Sequence, residues 1–174
     1  ISAAAALEED KWDERILEAI LGNFRTAGVN GFRSNRLEGA DLAKNGWEYY
    51  YNRSVTNYAS HYESLLWACY LWAYDKTGYE PLLTRTKTAI SMMMDAYVET
   101  MKLDNDNGNG EWTWTNGMQQ ERAKMLLSLA WLYRIEPTTE HAEWLDLMIT
   151  DMMQYQDATT GALQDRFGST GEGK

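Results

Sequence analysis

The run Asp104-Asn105-Asp106-Asn107-Gly108-Asn109-Gly110-Glu111-Trp112-Thr113-Trp114-Thr115-Asn116 sets three carboxylates beside two indoles. A carboxyl group partly desolvated by neighbouring rings has a raised pKa and is suited to giving up a proton in a reaction. Asp104, Asp106 and Glu111 are therefore the candidate catalytic acids. Trp112 and Trp114 alternate, so in an extended segment both rings face the same way. Such rings stack on the C–H faces of sugars. The competing readings are a solvated Asp/Asn/Gly turn for the acids and simple packing for the indoles. Asp104-x-Asp106-x-Gly108 also resembles the start of a calcium loop. It lacks an oxygen ligand at the fifth position and Glu at the twelfth, so no metal site is assigned.

Two further stretches carry the same chemistry. Residues 26–56 hold Arg33, Arg36, Glu38, Asp41, Trp47, Glu48 and the cluster Tyr49, Tyr50, Tyr51; residues 157–174 hold Asp157, Gln164, Asp165, Arg166 and Phe167. Rings for stacking, amides and charged groups for hydroxyls and acids for proton transfer are what a carbohydrate ligand requires. His61 lies near the start of an apolar run, as a proton-transfer or ligand-binding group or as a structural imidazole. Asn57 and Asn116 stand where two apolar runs begin, a capping position that also borders the candidate site. His141 opens another segment and is expected at the surface. No Gly-rich phosphate loop, nucleophile elbow or pair of His at metal spacing is present, and no cofactor is expected.

Hydrophobic periodicity predicts five helices, over about 8–25, 57–76, 81–102, 116–135 and 138–156. Pro81 and Pro137 each follow an apolar run and stand where a helix can begin. Segments 57–76 and 116–135 are apolar on every face and are expected to be covered all round. The other three are one-sided: Trp12, Ile16, Leu17, Ile20 and Phe24 form the apolar stripe of the first, while Arg85, Lys87, Ser91 and Asp95 fall on the wet face of the third. The order is outer, inner, outer, inner, outer. Thr56-Asn57 recurs as Thr115-Asn116, Trp72 as Trp131 and Met93-Met94 as Met152-Met153, all at one offset (115 − 56, 131 − 72 and 152 − 93 are equal). The repeating unit is a helical hairpin.

The connections alternate too. Inner-to-outer links are short and outer-to-inner links, 26–56, 103–115 and 157–174, are long. Consecutive helices of hairpins are antiparallel, so the long segments are expected to gather at one end, where the inner helices present free N–H groups and partial positive charge.

The net charge of −10, from 16 Lys and Arg against 26 Asp and Glu, argues against nucleic acid and anionic membranes as partners. Cys69 is the only cysteine, which excludes an intrachain disulfide and clustered thiolate metal sites; it is expected as a buried spacer. No apolar stretch approaches a membrane span. The chain starts at Ile1 rather than Met and is expected to be a piece of a longer protein, because five helices cannot cover two all-apolar ones.

With its hairpin period, the short turn Thr77-Gly78-Tyr79-Glu80-Pro81, the aromatic segment Glu111-Trp112-Thr113-Trp114-Thr115-Asn116 and the ending Thr160-Gly161-Ala162-Leu163-Gln164-Asp165-Arg166-Phe167-Gly168, the sequence resembles the six-hairpin (α/α) toroid glycosidases. The resemblance implies an all-α fold of hairpin repeats with alternating inner and outer helices. Residues 1–174 would form a single helical domain making up about half of an (α/α)6 toroid. It also implies a secreted or periplasmic bacterial location and, as partners, a carbohydrate and the remaining hairpins of the parent chain. The sugar would bind where the inner helices begin, bringing Asp104, Asp106 and Glu111 together with Trp112, Trp114, Asn116, Tyr49, Tyr50, Tyr51, Arg36 and His61. The adjacent Asp-Asp pair that some mannan-degrading toroids use is missing. A glycoside hydrolase-like activity is the first expectation. A non-catalytic carbohydrate-binding or scaffold domain, and another toroid chemistry such as epimerisation or polysaccharide lysis, stay open beside it.

Overall fold

In the computed structural model, residues 10–25, 27, 60–100 and 119–163 are described, and every element among them longer than one turn is an α-helix. A 3-10 turn, Asp10–Trp12, leads into α1, Asp13–Phe24. There follow α2, Ser60–Thr77; α3, Glu80–Thr100; α4, Gln119–Ile135; and α5, Thr139–Met153. No strand occurs among the described residues; Gln156 and Leu163 form an isolated antiparallel bridge. The chain is all-α, as its periodicity predicts. The start of α4 follows that of α2 by the offset of the sequence repeat, and the start of α5 follows that of α3 by the same amount (119 − 60 and 139 − 80 are equal).

Each helix end has a local cause. Gly78 adopts φ +65°, a conformation costly for other residues, and its N–H reaches the Tyr74 carbonyl at 2.7 Å to close α2. Pro81 then falls in the first turn of α3, where no N–H is needed. Pro137 cannot continue α4, and Thr138 caps α5 by accepting from the His141 N–H at 3.1 Å.

The chain divides into two compact units, Ile1–Asn57 with Cys69–Thr88 and Tyr58–Ala68 with Ala89–Lys174, so the division falls within α2 and α3. In the first unit, Phe24 of α1 meets Tyr70 of α2 edge-on, with ring centroids 5.0 Å apart, and the Tyr70 hydroxyl donates to Asn23 at 2.7 Å. Arg85 is buried, against its expected place on a wet face. Its guanidinium lies 5.2 Å from the centre of the Phe24 ring and donates to the Ala27 carbonyl at 3.3 Å. Trp12 departs in the other direction. The tighter winding of the 3-10 turn takes the residue out of phase with Ile20 and Phe24 and leaves it exposed. Lys76 of α2 pairs with Asp13 at 2.9 Å and Asp10 at 3.2 Å. Cys69 is half-buried rather than buried, and desolvation raises its thiol pKa.

In the second unit, α4 and α5 pack together, and the Ser128 hydroxyl of α4 donates to the Ser64 carbonyl of α2. Neither helix expected to be covered all round is fully covered. In α2, Trp67, Ala68, Tyr70, Leu71, Trp72 and Ala73 are buried, but Leu65 is exposed. In α4, Met125, Ser128, Leu129 and Leu132 are buried while Ala123, Leu127, Ala130 and Tyr133 are exposed, so α4 is two-faced. His141 is buried rather than at the surface: its Nδ1 lies 2.7 Å from the Glu136 carbonyl and its ring rests near Trp144. A carbonyl only accepts, so Nδ1 carries the proton.

Candidate functional site

The second unit buries charge where its helices end. Arg122, in the first turn of α4, is almost wholly enclosed, and its Nε donates to the Tyr97 hydroxyl oxygen at 3.2 Å. Tyr97, towards the end of α3, donates in turn to Asp151, near the end of α5. Both are buried, and the Arg122 guanidinium lies 5.6 Å from the Tyr97 ring centre. Glu63, in the first turn of α2, is also buried in this unit. The helix periodicity places these polar groups on faces that are otherwise apolar, and Met93, Met94 and Met125 are buried in the same unit.

The electrostatics follow from the enclosure. Burial pushes the Tyr97 phenol above its ordinary pKa. The Arg122 charge pulls the other way, and donation to Asp151 adds to the rise. Tyr97 is thus a fixed neutral phenol between a cation and a carboxylate. It holds its proton towards Asp151 and can neither swing nor ionise without breaking a buried bond. Chemically the cluster is a clamp: it joins the closing turns of α3 and α5 to the opening turn of α4. The chain leaves α3 at Thr100 and re-enters at Gln119, so Tyr97 and Arg122 bracket the segment that carries the candidate acids.

The acids themselves, Asp104, Asp106 and Glu111, lie outside the described residues, as do Trp112, Trp114, Asn116, Arg36, Tyr49, Tyr50 and Tyr51. His61 is in the first turn of α2, with its side chain outside what is described. Of the third aromatic and acidic stretch, Asp157 is described. Its carboxylate accepts from the Thr159 N–H at 3.0 Å, the Thr160 N–H at 2.7 Å and the Thr160 hydroxyl at 2.9 Å. Those bonds, those from Thr160 foremost, hold its pKa below the ordinary carboxylate value. It builds its own turn, which Gly161 closes at φ +72°.

Sequence reasoning overlooked Tyr97, Arg122, Asp151 and Glu63 as a buried polar set. Tyr97 is indistinguishable by periodicity from an apolar core ring. The available signal was the repeat: Glu63 and Arg122 occupy matching positions of the two hairpins (122 − 63 equals 131 − 72) and carry opposite charges within apolar helices. Among the described residues no group of three or more His, Cys, Asp or Glu could hold a metal ion, and no helix is long and apolar enough to cross a membrane. Comparison with protein-family models, with curated proteins and with solved structures gives no match.

Proposed function

We propose that this chain is part of an (α/α) hairpin toroid of glycosidase type, secreted or periplasmic, that acts on an oligo- or polysaccharide. The observation that supports the reading most is the Arg122–Tyr97–Asp151 clamp. It steadies the two helix ends between which the acids and indoles of residues 101–118 are strung. A reacting sugar needs its acid held in a fixed geometry, and a buried, hydrogen-bonded anchor on either side of a segment restricts its freedom. In this reading Glu111 and one of Asp104 or Asp106 handle protons, Trp112 and Trp114 stack on the sugar, and Asn116, Arg36, His61 and the Tyr49–Tyr51 cluster bind hydroxyls. Further hairpins complete the ring.

The test is binding and turnover of a panel of neutral and acidic oligosaccharides by the full chain. Binding is followed by tryptophan fluorescence and hydrolysis by release of reducing ends. Trp112→Ala and Trp114→Ala are expected to weaken binding by about tenfold or more, the value of one good stacking contact. Asp104→Asn, Asp106→Asn and Glu111→Gln are expected to retain binding and lose turnover. Binding without turnover in the unaltered protein points instead to a carbohydrate-binding scaffold. Unsaturated or epimerised products point to another toroid chemistry. No binding anywhere on the panel overturns the carbohydrate reading.

A further inference from the structure

In the first unit, the end of α1 is held more closely than its start. At the start, Lys76 of α2 pairs with Asp10 and Asp13, and pairs open to solvent stabilise little. At the other end, directional contacts from two helices fall between Asn23 and Ala27. Asn23 accepts from the Tyr70 hydroxyl of α2 at 2.7 Å, and Phe24 meets the Tyr70 ring edge-on. Ala27 is fully buried and is held at both of its backbone groups. Its N–H donates to the Phe24 carbonyl at 2.9 Å, and its carbonyl accepts from the Arg85 guanidinium of α3 at 3.3 Å. That carbonyl belongs to the peptide from which the chain departs into residues 28–59.

Arg85 is an unusual residue to find in this place. A buried guanidinium loses its hydration, and an apolar side chain of similar volume fills such a space without that loss. What Arg85 adds over an apolar side chain is direction. Its planar donors fix an acceptor in distance and angle, while its central carbon lies 5.2 Å from the centre of the Phe24 ring. Its charge also suits the partial negative end of α1. We infer that Arg85 is a positioning residue for ligand binding: it fixes where the chain leaves α1 for the segment that carries Arg36 and Tyr49–Tyr51. The inference rests on the carbohydrate reading above and divides the work within it. Tyr97 and Arg122 flank the segment that holds Asp104, Asp106 and Glu111. Arg85 stands at the root of a segment that holds hydroxyl-binding groups and none of those three acids. Arg85 therefore governs affinity, and the clamp governs turnover.

The experiment is Arg85→Met in the full chain, which keeps a long stem against Phe24 and removes every donor. The first readout is amide exchange at Ala27 by NMR, which needs no ligand. Ala27 is expected to be protected in the parent and to exchange about tenfold faster or more in the variant, as loss of one buried hydrogen bond allows. Leu83→Ala, which opens a cavity in the same unit, should instead speed exchange along the helices of that unit alike. An unprotected Ala27 in the parent, or one pattern shared by the two variants, overturns the inference. Should Arg85→Met not fold, Arg85→Lys keeps the charge without the planar fork. It should give a smaller increase at Ala27, and no increase overturns the inference.

The second readout is kinetics on the oligosaccharide that the parent hydrolyses. Arg85→Met should raise KM about tenfold with a smaller change in kcat, and Tyr97→Phe should lower kcat with a smaller change in KM. If the parent binds without turnover, Kd takes the place of KM and should rise in Arg85→Met alone. An unchanged KM or Kd in Arg85→Met, or kcat and KM moving together in both variants, overturns the inference and leaves the carbohydrate reading standing. A parent that binds no member of the panel overturns that reading, and the role of Arg85 in ligand binding with it.

Discussion

The Tyr97 hydroxyl donates to Asp151, far along the chain on another helix, and both are buried. One phenol thereby joins α3 to α5 and, by accepting from Arg122, joins both to α4.

Tyr97→Phe removes a donor from Asp151 and an acceptor from the Arg122 Nε without changing ring packing. The expected cost is about 1–3 kcal/mol of unfolding free energy, measured by urea denaturation. The pH dependence has a definite sign. The folded pKa of Tyr97 lies above the ordinary 10.0, so its contribution is complete below that pH and declines as pH rises beyond it, where the unfolded chain ionises first. Alkaline destabilisation should therefore be shallower in the Phe variant than in the parent. Equal slopes for the two proteins would remove this role.

The same substitution should act in opposite directions at two glycines. Gly78→Ala forces a side chain into the left-handed region at φ +65°, with no atom close enough to clash, and should cost about 1–2 kcal/mol. Gly22→Ala lies inside α1 with nothing within 4 Å, and should stabilise the protein by up to about 1 kcal/mol through helix propensity. Thermal melting of the pair checks both signs at once.

Asp157 should titrate below the ordinary carboxylate value of 3.8, because three donors converge on its Oδ1. Its contribution to the 157–163 turn is present above that pH and lost as pH falls through the depressed folded value. Asp157→Asn is expected to speed amide exchange at Thr159 and Thr160 and to leave the helices unaffected. Unchanged exchange at those two amides would show that the carboxylate does not order the turn.

Trp67 and Trp12 provide a contrast in burial. Trp67→Ala should cost about 3–5 kcal/mol, the usual loss for a large core ring, since Trp67 is fully enclosed. Trp12→Ala should fall within about 0.5 kcal/mol of the parent, since half of Trp12 faces solvent. Urea midpoints of the two variants test the division.

The helices and their order were legible because apolar spacing, two prolines and Gly78 act locally, within one or two turns. The constant spacing of the helix starts was legible for the same reason. Burial of polar side chains was not. Arg85 and Arg122 read as surface residues by type, and their enclosure involves groups from elsewhere in the chain, Phe24 and the Ala27 carbonyl for one and the Tyr97 ring and hydroxyl for the other. His141 reads as a solvent-facing residue at a helix start until the Glu136 carbonyl is found beneath it. The two-faced character of α4 was hidden because Leu127 and Ala130 are as apolar as the residues it buries. Composition alone cannot tell a buried face from an exposed one.

The link between α4 and α5 spans Glu136 to Thr138, pinned by the His141 imidazole on one side and the Thr138 hydroxyl on the other. Closing so short a loop loses little chain entropy, and contacts across it are near neighbours along the backbone. On these grounds α4–α5 is expected to form as a local unit ahead of pairings such as Tyr97 with Asp151 that must draw in distant segments, an order that pulsed amide exchange during refolding would read.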